Sequence, residues 1–281
     1  MKLCRYGEKG KEKPGLVDKS GQIRDLSAHI PDLAGDALSP ASLAKIAALD
    51  PATLPAVSGK PRIGAVVGGS PKFIAIGLNY SDHANEVGMA IPAEPIVFMT
   101  GNNSLCGPND NVEKPRGSTK LDWEVEIAII IGSRAKYVSE ADALNHVAGY
   151  AVCNDVSERF FQIERLGQWT TGKSHDTFGP LGPWLVTKDE IADVQKLPMW
   201  CDVNGKRCQT GSTATMIFGV KKIVSYLSEL MTLMPGDVIA TGTPPGVGAG
   251  MKPTPKFLNV GDVVTLGIEG LGEQRQKIVA A

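Results

Sequence analysis

Near its middle the chain reads Asp122-Trp123-Glu124-Val125-Glu126 and continues without a break as Ile127-Ala128-Ile129-Ile130-Ile131. The second half of this stretch is rich in β-branched residues and is closed by Gly132, which predicts a buried β-strand. Side chains alternate between the two faces of a strand, so Glu124 and Glu126 are predicted to share one face, with Cα atoms about 6.7 Å apart.

Two carboxylates this close to each other, beside an apolar run, repel one another and lose hydration. Shifted pKa values or a cation between the carboxylates relieve that strain. A small divalent ion that prefers oxygen ligands, such as Mg²⁺ or Mn²⁺, meets the need. A solvated polar face on an edge strand explains the same five residues, so both interpretations stay open at this point.

The bulk composition excludes several classes of function. With 281 residues the chain can bury a sizeable core, in one large domain or in one domain plus a small appendage. The net charge of -1, without a basic block, argues against nucleic acid or an anionic membrane as a partner. We expect neither a membrane span nor a signal peptide, because no apolar run is long enough. Five cysteines without Cys-x-x-Cys spacing indicate reduced thiols, as in a cytoplasmic protein, rather than disulfides or a zinc site.

Two domains are predicted, a small N-terminal α+β domain at residues 1–68 and a larger main domain at residues 69–281. The boundary is based on two β-like pieces, one helical pattern and a proline-rich linker, at residues 16–18, 22–26, 42–47 and 51–61.

In the larger domain the patterns predict strands at residues 72–77, 95–99, 150–153 and 238–240. Cap residues and apolar residues at helical spacing predict helices at residues 139–147, 156–165 and 218–233. The polar segment 79–94 is predicted to be a lid. Together these elements predict a β-rich α+β fold without the regular alternation of a doubly wound sheet.

Two stretches of sequence resemble catalytic or nucleotide-binding motifs but do not meet the requirements of those motifs. Ser174-His175-Asp176 has the letters of a serine triad, but triad members meet in space and are not consecutive. The glycine-rich stretch 246–250 follows two prolines and lacks the Lys-Ser/Thr of a phosphate-binding loop. Serine-hydrolase and nucleotide-binding functions are therefore not supported.

Other residues converge on an acidic site. Asp155 follows a predicted strand and is a plausible third carboxylate, although it would serve equally as a helix N-cap. His83 and Glu86 are three residues apart, so on a helical turn they share a face and form a general-base dyad, a surface ion pair or an additional metal ligand. Lys173 lies in a loop that could place an ammonium group in a cleft. The turn Thr241-Gly242-Thr243 has hydroxyl and backbone N–H groups that could bind an oxyanion. For each loop a purely connecting role stays open.

Five ordered strings closely resemble motifs of the fumarylacetoacetate hydrolase family, over residues 72–280. They are Gly77-Leu78-Asn79-Tyr80-Ser81-Asp82-His83, Asp122 to Glu126, Gly149 to Arg159, Gly172 to Trp184, and Thr241 to Gly248.

The resemblance implies a mixed β-sandwich or roll in the catalytic domain and a homodimer. It implies Mg²⁺ or Mn²⁺ held by Glu124, Glu126 and Asp155, with His83 and Glu86 as the water-activating dyad on a lid. It places Lys173 and Thr243 on the substrate, with further polar contacts from Arg159, Gln162, Gly242 and Tyr80. Asp122 is expected to stay outside the ligand set.

The resemblance also implies hydrolysis of a carbon–carbon bond in a 2,4-diketo acid, giving pyruvate and a second acid. The phrase from Glu164 to Lys173 is most similar to bacterial enzymes that cleave 2,4-diketo-3-deoxy sugar acids such as those of L-fuconate or L-rhamnonate breakdown. The family also contains oxaloacetate-type decarboxylases, hydroxydienoate isomerases or hydratases, and proteins named ureidoglycolate lyases. A non-catalytic ligand-binding homologue is a further alternative.

Overall fold

The structure is a computed structural model that describes residues 1–281. Its three α-helices are α1 (Pro40–Ala47), α2 (Ser81–Val87) and α3 (Val220–Leu230). Its eighteen strands are β1 (Lys2–Tyr6), β2 (Lys13–Val17), β3 (Ile23–Asp25), β4 (Phe73–Gly77), β5 (Ile96–Thr100), β6 (Leu105–Cys106), β7 (Val112–Lys114), β8 (Leu121–Asp122), β9 (Val125–Ile131), β10 (Val147–Asn154), β11 (Ser157–Glu158), β12 (Gly179–Pro180), β13 (Leu185–Thr187), β14 (Pro198–Val203), β15 (Lys206–Ser212), β16 (Val238–Ala240), β17 (Val263–Ile268) and β18 (Gly272–Ala280).

Two large sheets form the frame of the molecule. The nine-stranded sheet has the order β3-β2-β1-β13-β10-β9-β16-β4-β5, and the five-stranded sheet has the order β15-β14-β17-β18-β7. Most neighbouring strands are antiparallel, while β16 with β4 and β18 with β7 are parallel. This β-rich, mixed architecture confirms the predicted fold class.

Strand β9 connects the two cores of the protein because both of its faces are buried. Ile127, Ile129 and Ile131 belong to a core shared with the five-stranded sheet and α3. Ala128 and Ile130 belong to a second core, which includes apolar residues of the N-terminal segment and of β4. A fully buried strand explains the almost continuous apolar sequence after Glu126.

The N-terminal segment is built into the main sheet. Strand β1 pairs with β13, and β2 and β3 extend the sheet beyond it. The three short β-like and helical patterns of this segment correspond to β2, β3 and α1. The boundary at residue 68 stays a prediction.

Two predicted helices are wrong. In place of a helix at 139–147 there is one 3-10 turn, Ala143–His146, because Val147 begins β10 and pairs with Ile131. The predicted cap is present: Ser139 and Asp142 are joined by two hydrogen bonds. In place of a helix at 156–165, Ser157 and Glu158 pair with β8, and a π-helical turn follows at Phe160–Glu164.

The other predicted elements are confirmed, with small shifts of their ends. Strands β4, β5, β10 and β16 cover the predicted strand segments, and α3 lies within 218–233. All five cysteines are free thiols. None of the helices is both long enough and apolar enough to cross a bilayer.

Candidate functional site

The three predicted metal-ligating carboxylates lie together at the start of β9 and the end of β10. Antiparallel pairing sets Cys153 opposite Glu126, and the Asp155 N–H donates to the Glu124 carbonyl at 3.0 Å. As a result, carboxylate oxygens of Glu124, Glu126 and Asp155 all lie within 4.8 Å of one another. All three side chains are buried, which excludes the solvated edge strand.

Two buried cations hold part of this cluster. Lys173 Nζ donates to Glu124 Oε2 at 2.7 Å, to Asp155 Oδ2 at 2.6 Å and to the Asp155 carbonyl at 3.2 Å. Arg159 donates from Nη2 to Glu124 Oε1 at 2.6 Å and from Nε to Asp122 Oδ2 at 2.9 Å. All three N–H groups of the Lys173 ammonium therefore have acceptors within the protein. Lys173 can contact a substrate only if one of these hydrogen bonds is broken and replaced by one to the substrate.

The buried cluster carries an excess of negative charge. Four carboxylates (Asp122, Glu124, Glu126 and Asp155) face two cations, Arg159 and Lys173, so full ionisation of the carboxylates would leave an excess of two negative charges. Burial and repulsion from neighbouring carboxylates raise the pKa of Glu126 well above its ordinary value. Burial raises the pKa of Asp155 to about 6, although Lys173 opposes the shift. For Glu124 the attraction of Arg159 and Lys173 outweighs burial and lowers the pKa to about 2.

A divalent cation fits this donor set. Asp155 Oδ1 is buried and has no hydrogen-bond partner. The Glu126 carboxylate accepts one hydrogen bond, from the Gly242 N–H to Oε2 at 2.8 Å. Oxygen donors with an excess of two charges match the preference of Mg²⁺ and Mn²⁺ for carboxylates. Glu124, Glu126 and Asp155 would hold such an ion.

The turn at Thr241–Thr243 faces the same cluster. Gly242 has a φ of +97°, and a Cβ there would lie 2.9 Å from Asn79 Cβ, so a glycine is required for its N–H to reach Glu126. The Thr243 hydroxyl donates to the Val125 carbonyl at 2.9 Å and accepts from Gln209 Nε2 at 2.8 Å. The hydroxyl proton is thus used within the protein, whereas no protein acceptor takes the Thr243 backbone N–H.

Helix α2 carries the predicted dyad. His83 Nδ1 lies 2.9 Å from Glu86 Oε2, and Glu86 Oε1 accepts the Gly246 N–H at 2.9 Å. A Cβ on Gly250 would lie 2.8 Å from Glu86 Cδ, so the absence of a side chain lets the helix dock on this loop. The hydrogen bond to Glu86 orients the imidazole and leaves Nε2 as its other functional nitrogen.

The π-helical turn supplies Gln162. Its Oε1 accepts from Arg159 Nη1 at 3.1 Å, and its Nε2 has no acceptor within the protein. A Cβ on Gly172 would lie 2.5 Å from Gln162 Cβ, so this glycine allows the turn to pack against the segment that leads into Lys173. Single π-helical turns of this kind are frequent at functional sites.

These groups line one cavity of about 190 Å³. The predicted site residues on its wall are His83, Glu124, Glu126, Asp155, Arg159, Gln162, Lys173, Gly242 and Thr243. Glu86 does not line the cavity, but its hydrogen bond to Nδ1 orients the His83 ring. Tyr80 was predicted to contact the substrate, but it does not line the cavity. Its side chain is fully buried in the core, and its hydroxyl lies 3.3 Å from Met199 Sδ.

Asp122, which was expected to lie outside the ligand set as a supporting or structural group, accepts hydrogen bonds from the N–H groups of Gly248 and Ala249 and from Arg159. Two further supporting residues were not predicted from the sequence. Asn154 Oδ1 accepts the Glu124 N–H at 3.2 Å, and Gln209 Oε1 accepts the Val125 N–H at 3.0 Å. Asn154 precedes Asp155 in a quoted motif, but nothing local to Gln209 marks it as part of the site.

The fold and the cavity together define a class: β-rich enzymes whose buried carboxylates fit a divalent cation. The family model described as fumarylacetoacetate (FAA) hydrolase C-terminal matches residues 72–279. The chain belongs to the fumarylacetoacetate hydrolase family.

Known proteins are similar to this chain over nearly its full length. A protein of Burkholderia orbicola named "Putative hydrolase" is 63% identical over 277 residues, which cover 99% of this chain and 98% of that protein. A fumarylacetoacetate hydrolase from psychrophilic Exiguobacterium antarcticum is 36% identical, with a TM-score of 0.88 and 100% of both chains covered. A maleylpyruvate hydrolase from Sphingobium sp. SYK-6, solved with manganese(II) and pyruvate, is 28% identical, with a TM-score of 0.82 and 100% of both chains covered.

Proposed function

We propose that this protein is a divalent-metal-dependent hydrolase that cleaves the C3–C4 bond of a 2,4-diketo acid, an acylpyruvate. The observation that carries the proposal is the meeting of two groups of residues in one cavity. A carboxylate trio that fits a divalent ion lines the same cavity as an imidazole oriented by a carboxylate. The pyruvate and manganese(II) bound by the Sphingobium enzyme support this choice of substrate class and metal.

Glu124, Glu126 and Asp155 would hold Mg²⁺ or Mn²⁺. Bound there, the ion would act as a Lewis acid toward the oxygens of a keto acid and would orient them. Arg159 and Lys173 both donate hydrogen bonds to Glu124, and Lys173 also donates to Asp155. The Gly242 N–H donates to Glu126. These contacts keep the trio in place before a substrate arrives.

His83 would act as the general base. With Nδ1 oriented by Glu86, Nε2 takes a proton from water, and the resulting hydroxide attacks the C4 carbonyl carbon. The Thr243 N–H and the Gln162 amide are the uncommitted donors that could stabilise the oxyanion on C4. Lys173 would assist after exchanging one of its present acceptors.

The bond cleavage balances with one water molecule. When the C4 carbonyl re-forms, the C3–C4 electron pair moves to C3, and C3 then accepts a proton to give the methyl group of pyruvate. The hydroxyl from water remains on the acyl carbon, which leaves as a carboxylate and releases one proton. The products are pyruvate and a second carboxylic acid.

Acetylpyruvate and oxaloacetate separate this proposal from its rivals. We expect the purified protein with Mn²⁺ or Mg²⁺ to release pyruvate and acetate from acetylpyruvate. Release of pyruvate and CO₂ from oxaloacetate alone would instead show a decarboxylase. Loss of a dienoate absorbance without pyruvate would indicate an isomerase or hydratase.

The remaining expectations are also proposals. We expect a homodimer in the cytoplasm, which acts on a free keto acid and has no macromolecular partner. Light scattering on the purified protein tests the first point, and a mass equal to one chain would contradict it. A sugar-acid tail is one candidate for the acyl group of the substrate. The side chains that line the cavity determine which kind of tail it can bind.

A further inference from the structure

One side of the cavity is apolar and aromatic. Phe98 on β5 and Trp169, four residues before Lys173, pack edge to face with ring centroids 5.3 Å apart and planes at 73°. Both rings line the cavity. Lys173 Nζ lies 5.7 Å from the centroid of the Phe98 ring, so this aromatic wall begins directly beside the carboxylate cluster.

The backbone around the wall is shaped to hold the two rings. A Cβ on Gly77, at the end of β4, would lie 2.2 Å from Trp169 Cζ3, so the indole occupies the space of a missing side chain. The Thr170 hydroxyl donates to the Met99 carbonyl at 2.8 Å, which ties the turn that carries Trp169 to β5. The aromatic pair is therefore a fixed surface of the cavity.

Solvent-exposed apolar side chains line the same cavity as the aromatic pair. Met89, just after α2, is 52% exposed, and Ile163, on the π-helical turn, is 57% exposed. Val87 at the end of α2 adds a third partly exposed apolar group, and all three line the cavity. Exposed apolar side chains gathered at one opening mark a surface that gains from being covered.

The same cavity offers no free positive charge. Arg159 and Lys173 each bind two carboxylates, and the His83 ring is hydrogen-bonded to Glu86. A bound divalent ion balances the negative charge of the carboxylate cluster, so no positive charge remains in the cavity to pair with a second carboxylate of a ligand. Gln162 carries the one neutral side-chain amide on the cavity wall, and half of that amide is used by Arg159. A polyhydroxylated chain would therefore find few partners.

From these observations we infer that the wall formed by Phe98, Trp169, Val87, Met89 and Ile163 binds the acyl tail of the substrate, and that this tail is an uncharged hydrocarbon group. This inference rests on the proposed function for the name of the substrate and disfavours both sugar-acid and dicarboxylate tails. The wall itself is a binding subsite that can be tested without turnover.

Binding of 2-oxo acids of increasing length tests the subsite. The full-length protein with Mn²⁺ is titrated calorimetrically with pyruvate, 2-oxobutanoate, 2-oxopentanoate and 2-oxohexanoate. Affinity is expected to rise about two- to fourfold per added methylene, as for burial of an apolar group at a partly open wall. Matched six-carbon ligands with a terminal carboxylate (2-oxoadipate) or with hydroxyl groups (a 2-oxo-3-deoxy sugar acid) are expected to bind more weakly than 2-oxohexanoate.

A lysine substitution at the mouth provides the second test. Met89→Lys should weaken 2-oxohexanoate and strengthen 2-oxoadipate by about two- to fivefold, the size of an exposed ion pair. Met234→Lys is the matched control, because Met234 is 40% exposed and lies outside the cavity wall. Equal effects of the two substitutions would overturn the inference, since bulk charge would then explain the change.

Each outcome of the titration decides the inference. An affinity that is independent of chain length, a preference for the charged or hydroxylated ligand, or no binding of any 2-oxo acid would overturn it. A rising affinity together with no pyruvate release from any acylpyruvate would keep the subsite and remove the hydrolase proposal.

Discussion

His83 depends on one hydrogen bond for its orientation, the 2.9 Å contact between Nδ1 and Glu86 Oε2. General-base assistance is typically worth about 10²–10⁴-fold in rate, so His83→Ala should lower kcat by that factor. Affinity for Mn²⁺ should stay unchanged, because the imidazole is not part of the carboxylate trio. Pyruvate release and calorimetric titration with Mn²⁺ measure the two effects.

Glu86→Gln is the matched control for that prediction. A glutamine oxygen can still accept the hydrogen bond from Nδ1, but it cannot stabilise an imidazolium ion by charge. Its loss of activity should therefore be smaller than that of His83→Ala. Normal turnover by His83→Ala would remove His83 from the reaction.

Glu126 is predicted to make stability depend on pH. Its raised pKa means that the folded protein holds a proton that the unfolded chain loses near its ordinary value of 4.5. Stability is therefore unaffected below that value and falls as pH rises toward the folded pKa. Glutamine mimics the protonated carboxyl, so Glu126→Gln in EDTA should melt at a higher temperature than the parent protein at pH 7.5, with a smaller difference at pH 4.5.

Thermal melts with added Mn²⁺ complete the Glu126 test. A metal ion must displace the proton, so its affinity should weaken as pH falls. The parent protein should gain stability from Mn²⁺ at pH 7.5, and Glu126→Gln should gain much less. A lower melting temperature for Glu126→Gln in EDTA at pH 7.5 would contradict the raised pKa.

The sequence predicted most of the residues that come together at the site, but it did not predict all of their contacts. Glu124, Glu126, Asp155 and His83 line one cavity, and each lies in one of the five motifs. Glu86 was found from its spacing of three residues after His83, to which it is hydrogen-bonded. The partners of Lys173 and Arg159, and the burial of Tyr80, depend on which segments pack across the cavity, and no local pattern reports that packing.

At the level of elements, the β14–β15 hairpin shows why the second sheet was not predicted. Strand β15 consists mostly of polar residues and reads Lys-Arg-Cys-Gln-Thr-Gly-Ser, without the apolar alternation of a half-buried strand. The available signal is the turn Asn204-Gly205, with φ values of +51° and +75°. Asn-Gly between two strands is the strongest short-range hairpin signal and would have found it.

Gln209 on β15 connects this hairpin to the site. It accepts the Val125 N–H and donates to Thr243 Oγ1 and to the Pro244 carbonyl. Gln209→Ala leaves these buried groups unpaired and should lower the free energy of unfolding by about 1–3 kcal/mol, with a fall in kcat. Thr210→Ala, at the exposed neighbouring position, is the control for denaturant unfolding and should have little effect. Equal stability of both variants would show that Gln209 does not support the site.

At the scale of the whole molecule, the N-terminal segment packs against β9, the strand that carries Glu126 of the candidate metal site. The core on one face of β9 includes Leu3, Leu16 and Leu26 beside Ala128 and Ile130. The sequence predicted the strands and helix of this segment, but pairing of β1 with β13, some 180 residues away, leaves no local trace.

Removal of residues 1–68 tests how independent that segment is. The remaining chain would expose the second core and the edge of β13, so residues 69–281 alone should lack a cooperative thermal transition. Circular dichroism against the full-length protein measures this. A cooperative melt at the full-length temperature would support the predicted boundary at residue 68 as a true domain border.

We propose that activity depends on a divalent ion bound by Glu124, Glu126 and Asp155. Calorimetric titration of the EDTA-treated protein with Mn²⁺, with pyruvate release from acetylpyruvate followed at each addition, tests this dependence. We expect one Mn²⁺ site per chain, activity that rises in proportion to the occupancy of that site, and loss of both in Glu124→Gln. Full activity in EDTA, or unchanged Mn²⁺ affinity in Glu124→Gln, would contradict this proposal.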